Sequence, residues 1–464
     1  MGFPRAYQLS DDGNSRNIDI PRQVTDHFKA IINTNILLNE NWLELDLGYQ
    51  RNFRREESNP HVHGKGPRPE GILALGLDLQ TISGNARYHH TISNKLNSIY
   101  GLQFQYQENS ISGFEFLLPN YNSGNIGAYS YQELSLNNIT TINAGLRLDH
   151  GYRNIDGFAE PIYSDLETVV FYYPRVNNFN RQFTNLSGAT GISFYPHHNF
   201  NSKLNFGSSF RMPTAPEMSS NGMHHGNFRY EMGDSTLRSE RGYQVDLNLT
   251  YHTREFHLSL TPFYNYFNNF IYLGPTAQFP PEIQLPEGGR IRNPGGQAYQ
   301  FQQDNAMFWG AEASIEYHIF KELHLRSAIE YVWNINLTTQ LGLPFTPPFS
   351  ILNEVTYDLP LKSKKVSNLH IGLLAQSFAD QNMVDRNEKR TGGYTLFNFE
   401  SGFDINILNI PFHFVFTVQN VTNKVYLNHL SRYRLINLPE QGRNFTFMVK
   451  IPINVVTNNN LNKN

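Results

Sequence analysis

Two pairs of histidines are the residues in this chain whose type and spacing suit a metal. His224 and His225 stand side by side in SFRMPTAPEMSSNGMHHGNFRYEMGDSTLRSERGYQ, next to Met223 and Gly226. Imidazole nitrogens in such a loop ligate a metal ion or haem iron, although two histidines alone leave a coordination sphere incomplete. His61 and His63, in NPHVHGKGPRPEG, project to the same side of an extended chain; the surrounding Gly and Pro equally specify a solvated loop. His89 and His90 would face opposite sides of a strand, and His197 and His198 fall in a short turn, so neither pair converges on one ion. Arg175 and Arg181, in YPRVNNFNRQF, set guanidinium groups among aromatic rings, which suits an anionic iron chelate. Catalytic patterns such as G-x-S-x-G, the P-loop and H-E-x-x-H are absent, so neither enzymatic activity nor a resident cofactor is expected.

The elements that position these residues follow from composition and period. The 464 residues are 14% aromatic but only 17% charged, against about 25% charged in soluble domains. Mean hydropathy is negative, −0.47, and no apolar run of about 18 residues exists to form a membrane helix. A net charge of −3 without a basic run excludes nucleic acid as a partner. The lack of cysteine removes disulfides and thiolate metal sites.

Period two dominates. In YQVDLNLTYH, Tyr243, Val245, Leu247, Leu249 and Tyr251 oppose Gln244, Asp246, Asn248, Thr250 and His252. The same alternation runs through NAGLRLDH, LFNFESGFDI and the stretch from Phe445 to Ile453. It predicts about seventeen strands, near 26–38, 41–54, 72–92, 96–109, 124–137, 139–152, 181–195, 198–211 and 240–253. The others fall near 255–272, 298–319, 322–336, 349–359, 366–378, 393–405, 410–421 and 441–453. Links between them alternate short and long: Asn39–Glu40, Asn137–Asn138 and Pro196–His197 against Glu56–Glu70, Arg153–Asn180 and Met212–Ser239. Wholly apolar outward faces, polar inward ones and unequal rims describe an all-β transmembrane antiparallel barrel, with long extracellular loops and short periplasmic turns. A soluble β-rich binding protein shares the period and stands as a second alternative.

Several stretches resemble the C-terminal barrel of TonB-dependent outer-membrane receptors, especially the Bacteroidetes type. FRMPTAPEM and GDSTLRSERG resemble that family's "FRAPT-PEL … NPDLKPE", through Phe210, Arg211, Pro213, Pro216, Glu217 and Glu240. VQNVTNKVYLNHLSRYRLINLPEQGRNFTFMVKIPI resembles its "NLF … Y … PEPGRNF" ending, through Asn420, Tyr426, Pro439, Gly442, Arg443, Asn444 and Phe445. These motif residues are expected to be structural. Against the family's usual 22 strands or so, the set here is incomplete, about 17 of 22, with the plug and first strands expected to be missing. The start, MGFPRAYQLSDDGNSRN, has no secretory signal, which fits a mature fragment or truncated frame. Residues 1–453 are assigned to the partial barrel and 454–464 to a polar tail.

The resemblance implies active uptake of a metal-containing ligand (an iron siderophore, haem or zinc) across the Gram-negative outer membrane. Its implied partners are outer-membrane lipid, the metal complex and the energy-coupling TonB/ExbB/ExbD complex acting through a plug. A passive pore or an inert remnant is the competing expectation.

Overall fold

The computed structural model describes residues 17–62, 65–224, 229–276, 283–284, 290–291, 297–361, 363, 365–407 and 410–452. Nineteen strands join in one large sheet. Two of them, Asn221–His224 and Arg229–Met232, are short pieces of one outer loop. The other seventeen form the wall. They run Arg22–Leu38, Asn41–Glu57, Leu73–Ser93, Leu96–Ser112, Tyr121–Asn137, Thr140–Ile155, Phe179–His197, Phe200–Arg211 and Glu240–His252. They continue as Phe256–Pro275, Gln297–Phe320, Leu323–Asn336, Ser350–Asp358, Val366–Phe378, Tyr394–Ile407, Ile410–Gln419 and Asn444–Lys450. Each pairs antiparallel with the next, as a continuous meander. Among the described residues the first and last wall strands do not pair with each other, so the sheet is open.

The register explains the alternation. Leu102 lies opposite Ala128, Ala128 opposite Leu148, and Leu148 opposite Leu186, giving an apolar row along the outer face. Leu102, Leu148 and Leu186 are all more than half exposed, as lipid-facing side chains must be. Further round, Trp309 meets Tyr331 and Trp333 at ring distances of 5.8 and 5.9 Å. The opposite face is polar and internally bonded. Arg147 donates to Asp149 (2.6 and 2.7 Å), Arg87 to Glu44 and Asp46 (2.5 and 2.6 Å), and Asn205 to Asp246 (2.8 Å).

Three expectations need correction. The outward faces are not apolar along their whole length: Arg51–Asp78 (2.7 Å) and Arg55–Asp26 (2.7 Å) continue the outward row beyond Tyr49 and Phe28. Strands of 17 residues span roughly 40 Å when tilted by about 45°, which exceeds an apolar band of about 25 Å. Their outer ends stand in water and carry charge. The segment Arg153–Asn180 is not a plain loop, because Phe158–Tyr163 pairs with Val169–Val176 as a separate hairpin. Pro161 and Pro174 hid it in the sequence, since proline reads as a strand breaker unless an edge is free to take it. The Asp165 carboxylate closes its turn, accepting from the Glu167 and Thr168 N–H groups (2.9 and 2.8 Å). Finally, the last strand is Asn444–Lys450, shorter than 441–453, and Ile453 and the tail lie outside the described residues.

The wall predicts a two-sided response to charge. Leu146→Arg, on the outward face, should lower refolding stability in lipid vesicles by about 2–4 kcal/mol. Gln103→Arg, on the inward face, should change it by less than about 0.5 kcal/mol. Denaturant titration with tryptophan fluorescence measures both.

Candidate functional site

The outer mouth is assembled on one arginine. Arg211 ends its wall strand and donates to both oxygens of Glu217 (2.7 and 2.8 Å) and to Glu240 (3.2 Å), which begins the next strand. Glu240 also accepts from the Ile271 N–H at 2.8 Å, tying in a third strand. Glu217 belongs to a one-turn helix, Ala215–Ser219, capped by Thr214 in a reciprocal capping box with Pro216 in its first turn. Thr214 N–H donates to Glu217 at 2.8 Å and Glu217 N–H to Thr214 Oγ1 at 3.4 Å. Proline fits there because its missing N–H would have no helical partner. The Pro213 carbonyl accepts from Arg153 at 3.0 Å. Met218 and Leu237, nearly inaccessible, pack with Phe183, Met212 and Ile271 beneath this helix. The F-R-x-P-T-x-P-E residues are thus a hydrogen-bonded corner.

The corner launches the hairpin Asn221–His224/Arg229–Met232, whose second strand adds parallel to the wall strand beginning at Gln297. Tyr230 is fully buried; its hydroxyl donates to Asn221 Oδ1 (2.6 Å) and accepts from Arg175 (2.8 Å). Burial pushes that hydroxyl above its ordinary pKa, although the Arg175 charge opposes the shift. Arg175 also pairs with Glu160 (2.7 Å), and Arg181 donates to the carbonyls of Ser235 and Leu237. Both arginines therefore clamp loops together in this structure.

His224 is mostly buried. Its Nδ1 lies 2.9 Å from Glu231 and its Nε2 3.3 Å from Arg54 Nη2, with Glu56 at 4.0 Å. A carboxylate only accepts and a guanidinium only donates, so this geometry fits a neutral ring with its proton on Nδ1. Glu231 also accepts from Arg229 Nε at 2.7 Å. Burial alone would raise the Glu231 carboxyl, but the His224 hydrogen bond and the Arg229 charge hold it below the ordinary range. His61 lies elsewhere on the rim, 3.0 Å from both the Asn59 carbonyl and Glu115. It lines a cavity of about 1010 Å³ with Lys65, Arg68, Arg175 and Met223. His63 and His225 lie outside the described residues. Among the described residues, no three His, Asp or Glu side chains converge as a metal site.

A second chamber of about 570 Å³ lies inside the wall under the outer loops, lined by Arg229, Tyr272, Phe308, Phe345, Leu430 and Arg432. Arg229 also sits 5.3 Å over the Tyr299 ring. Burial and the like charge of Arg229 both depress the Arg432 guanidinium. The chamber roof is locked by Arg434, 2% exposed. It donates to Glu388 (2.5 Å) and the Lys389 carbonyl (2.6 Å) and lies 5.4 Å over Phe345. Glu388 further accepts from the Phe345 and Asp385 N–H groups (2.9 and 3.0 Å), with His429 Nε2 at 3.4 Å. Neither Arg229 nor Arg432 stands out in the sequence. The one local cue is the alternation of Arg229 and Glu231, which puts both on one face.

The terminal motif is likewise architectural. Asn420 bonds with Lys424 through both ends of its amide (2.8 and 2.9 Å), and the Asn423 side chain accepts from the Arg443 N–H (2.9 Å). Tyr426 packs on Tyr394 at 4.5 Å, and Pro439 lies in a small pocket beside them. A Cβ at Gly442 would meet Asn423 Oδ1 at 2.8 Å, so a larger residue there must displace the side chain that accepts from Arg443. Asn444 and Phe445 open the last strand.

The family model described as TonB dependent receptor-like, beta-barrel, matches residues 2–423. The chain belongs to this family. It is an outer-membrane β-barrel of the Gram-negative type, and the family's members are transporters rather than enzymes. Among solved structures, the copper transporter OprC superposes with a TM-score of 0.70 at 15% identity, covering 92% of this chain and 65% of that one. The FrpB iron transporter from Neisseria meningitidis gives 0.65 at 14% identity, covering 92% and 63%. The Serratia marcescens hemophore receptor HasR, in complex with its hemophore HasA and heme, gives 0.63 at 13%, covering 92% and 65%. The chain thus spans less than two thirds of each. At such identities the likeness is one of fold.

Two outcomes follow for the receptor's mouth. Arg434→Ala leaves Glu388 buried without its main partner and should cost about 3–5 kcal/mol locally, seen as faster proteolysis of segments 379–393 and 420–443. Glu388 also carries a pH signature. Burial alone would raise its carboxyl, yet the nearby His429 ring, the hydrogen bonds from the Phe345 and Asp385 N–H groups and the Arg434 charge set it below the ordinary value. A depressed carboxyl stabilises fully above its unfolded pKa of about 4.3. That contribution is lost as pH falls through the lower folded value. Protease resistance of these segments should hold above about pH 5 and decline below about pH 4, and Glu388→Gln should remove that decline.

Proposed function

We propose that this barrel serves the TonB-dependent active uptake of a metal held in an anionic chelate, of the siderophore or haem kind. The observation that carries the reading is the chamber at the mouth. Arg229 and Arg432 line one cavity with Tyr272, Phe308 and Phe345. Two guanidinium groups attract carboxylate or phenolate oxygens by charge-assisted hydrogen bonds and repel a bare cation, while the rings suit flat aromatic portions. His224 then supports Arg229 through Glu231 rather than ligating iron directly. Copper, iron and haem appear in the names of the similar structures, which supports a metal-bearing cargo without choosing one. Energy coupling through an inner-membrane TonB complex follows from the family assignment.

The test is uptake by cells whose outer membrane carries the receptor. Iron-siderophore, haem and ionic zinc are supplied separately, with and without a functional energy-coupling complex. Expected is energy-dependent accumulation of one chelate, reduced at least tenfold by Arg229→Ala/Arg432→Ala. Uptake of zinc alone, or of no metal form, overturns the reading.

A further inference from the structure

The opposite rim of the barrel carries a histidine pair that the mouth does not use. The wall strands Gln297–Phe320 and Leu323–Asn336 are joined by the short periplasmic turn at Lys321 and Glu322, and His318 and His324 are register partners just inside it. Tyr317 and Leu325 continue the outward row, so both imidazoles face the lumen. The rings meet edge-on at 4.6 Å and 83°, with the two Nδ1 atoms facing each other.

Asp358, at the end of the neighbouring strand, lies 3.0 Å from His324 Nε2. A carboxylate cannot donate, so the neutral His324 ring carries its proton on Nε2 and turns the Nδ1 lone pair towards His318. A carboxylate holding the far nitrogen of an imidazole is the arrangement that orients and strengthens a metal-ligating histidine. The surroundings favour a cation. Arg326 is shared between Glu316 and Glu354 (3.9 Å each), Asp358 lies opposite His370, and His370 is 3.7 Å from Glu400. Four carboxylates thus face one arginine along this band of the lumen, which raises the local concentration of positive ions.

We propose that His318 and His324 bind a borderline divalent transition-metal ion (the Zn²⁺, Co²⁺, Ni²⁺ class) through their Nδ1 atoms. Asp358 is the positioning residue for His324, and water completes the coordination. To ligate through Nδ1 each neutral ring carries its proton on Nε2, and the site needs no cargo at the outer mouth. Imidazole ligation selects this class over Mg²⁺ and Ca²⁺, which prefer oxygen. A site with two protein ligands and open positions is suited to reversible occupancy rather than to permanent structural metal.

The test titrates Co²⁺ alone into the full chain, folded in detergent micelles and free of any polyhistidine tag, reading visible absorption and then displacement by Zn²⁺. Expected is a binding event absent from His318→Ala/His324→Ala and weakened about 10- to 100-fold by Asp358→Asn. It should persist in His224→Ala and be insensitive to excess Mg²⁺. His318→Gln and His324→Gln, similar in size, replace the alanine variants if those fail to show the heat-modifiable migration of a folded barrel. Absence of Co²⁺ binding by the wild-type chain, or equal affinity in the folded histidine variants, overturns the proposal. So does an Asp358→Asn protein that binds as tightly as wild type.

Discussion

An unpaired backbone N–H or C=O in hydrocarbon costs several kcal/mol, and no water is there to relieve it. The fifteen interior wall strands meet that constraint by pairing with both neighbours, while the first and last are each paired along one edge among the described residues. Such pairing leaves the side chains only two directions, so period two becomes a division between lipid and lumen. Leu102, Leu148 and Leu186 follow one side of that division, and Arg147, Asp149 and Asp246 the other. The constraint ends where the membrane ends. Above it the same strands carry Arg51–Asp78 and Arg55–Asp26 on their outward row, because water again solvates charge.

Beyond the wall, the order of the mouth depends on arginine. Arg211, Arg229 and Arg434 each meet a mostly buried glutamate, and Arg211 and Arg434 also join segments remote in sequence. The forked guanidinium makes several directed bonds at once, so one residue fixes two or three loops. This explains how loops with little hydrophobic interior stay in place. The apolar cluster of Met212, Met218, Leu237 and Ile271 sits below Arg211 and is small. The partners are also unforgiving: a glutamate at the interior of this network cannot lose its arginine without leaving an uncompensated charge.

The wall was legible because alternation is local. All seventeen wall strands are foreshadowed by period two, with ends displaced by a few residues where strands outrun the membrane. The corner motif was legible for the same reason: Arg211, Thr214, Pro216 and Glu217 lie within one turn of chain and bond to one another. What stayed hidden depends on distance along the chain. His224 reads as an available ligand until Arg54, 170 residues away, and Glu231 are seen on its two nitrogens. Arg175 and Arg181 read as free interface residues until Tyr230 and the carbonyls of Ser235 and Leu237 are placed. The chamber between Arg229 and Arg432 has no sequence signature, since its two cations come from different loops.

The same separation bears on how the family varies. Walls related at 13–15% identity superpose with TM-scores of 0.63–0.70, so the pairing constraint preserves geometry while tolerating almost any sequence that alternates. What distinguishes one such wall from another must then reside in what the constraint leaves free, the loop residues and the inward side chains. Arginines line the chamber at the mouth, whereas carboxylates and histidines gather at the inner rim. Both sets occupy loop or inward positions, whose choice the wall does not restrict.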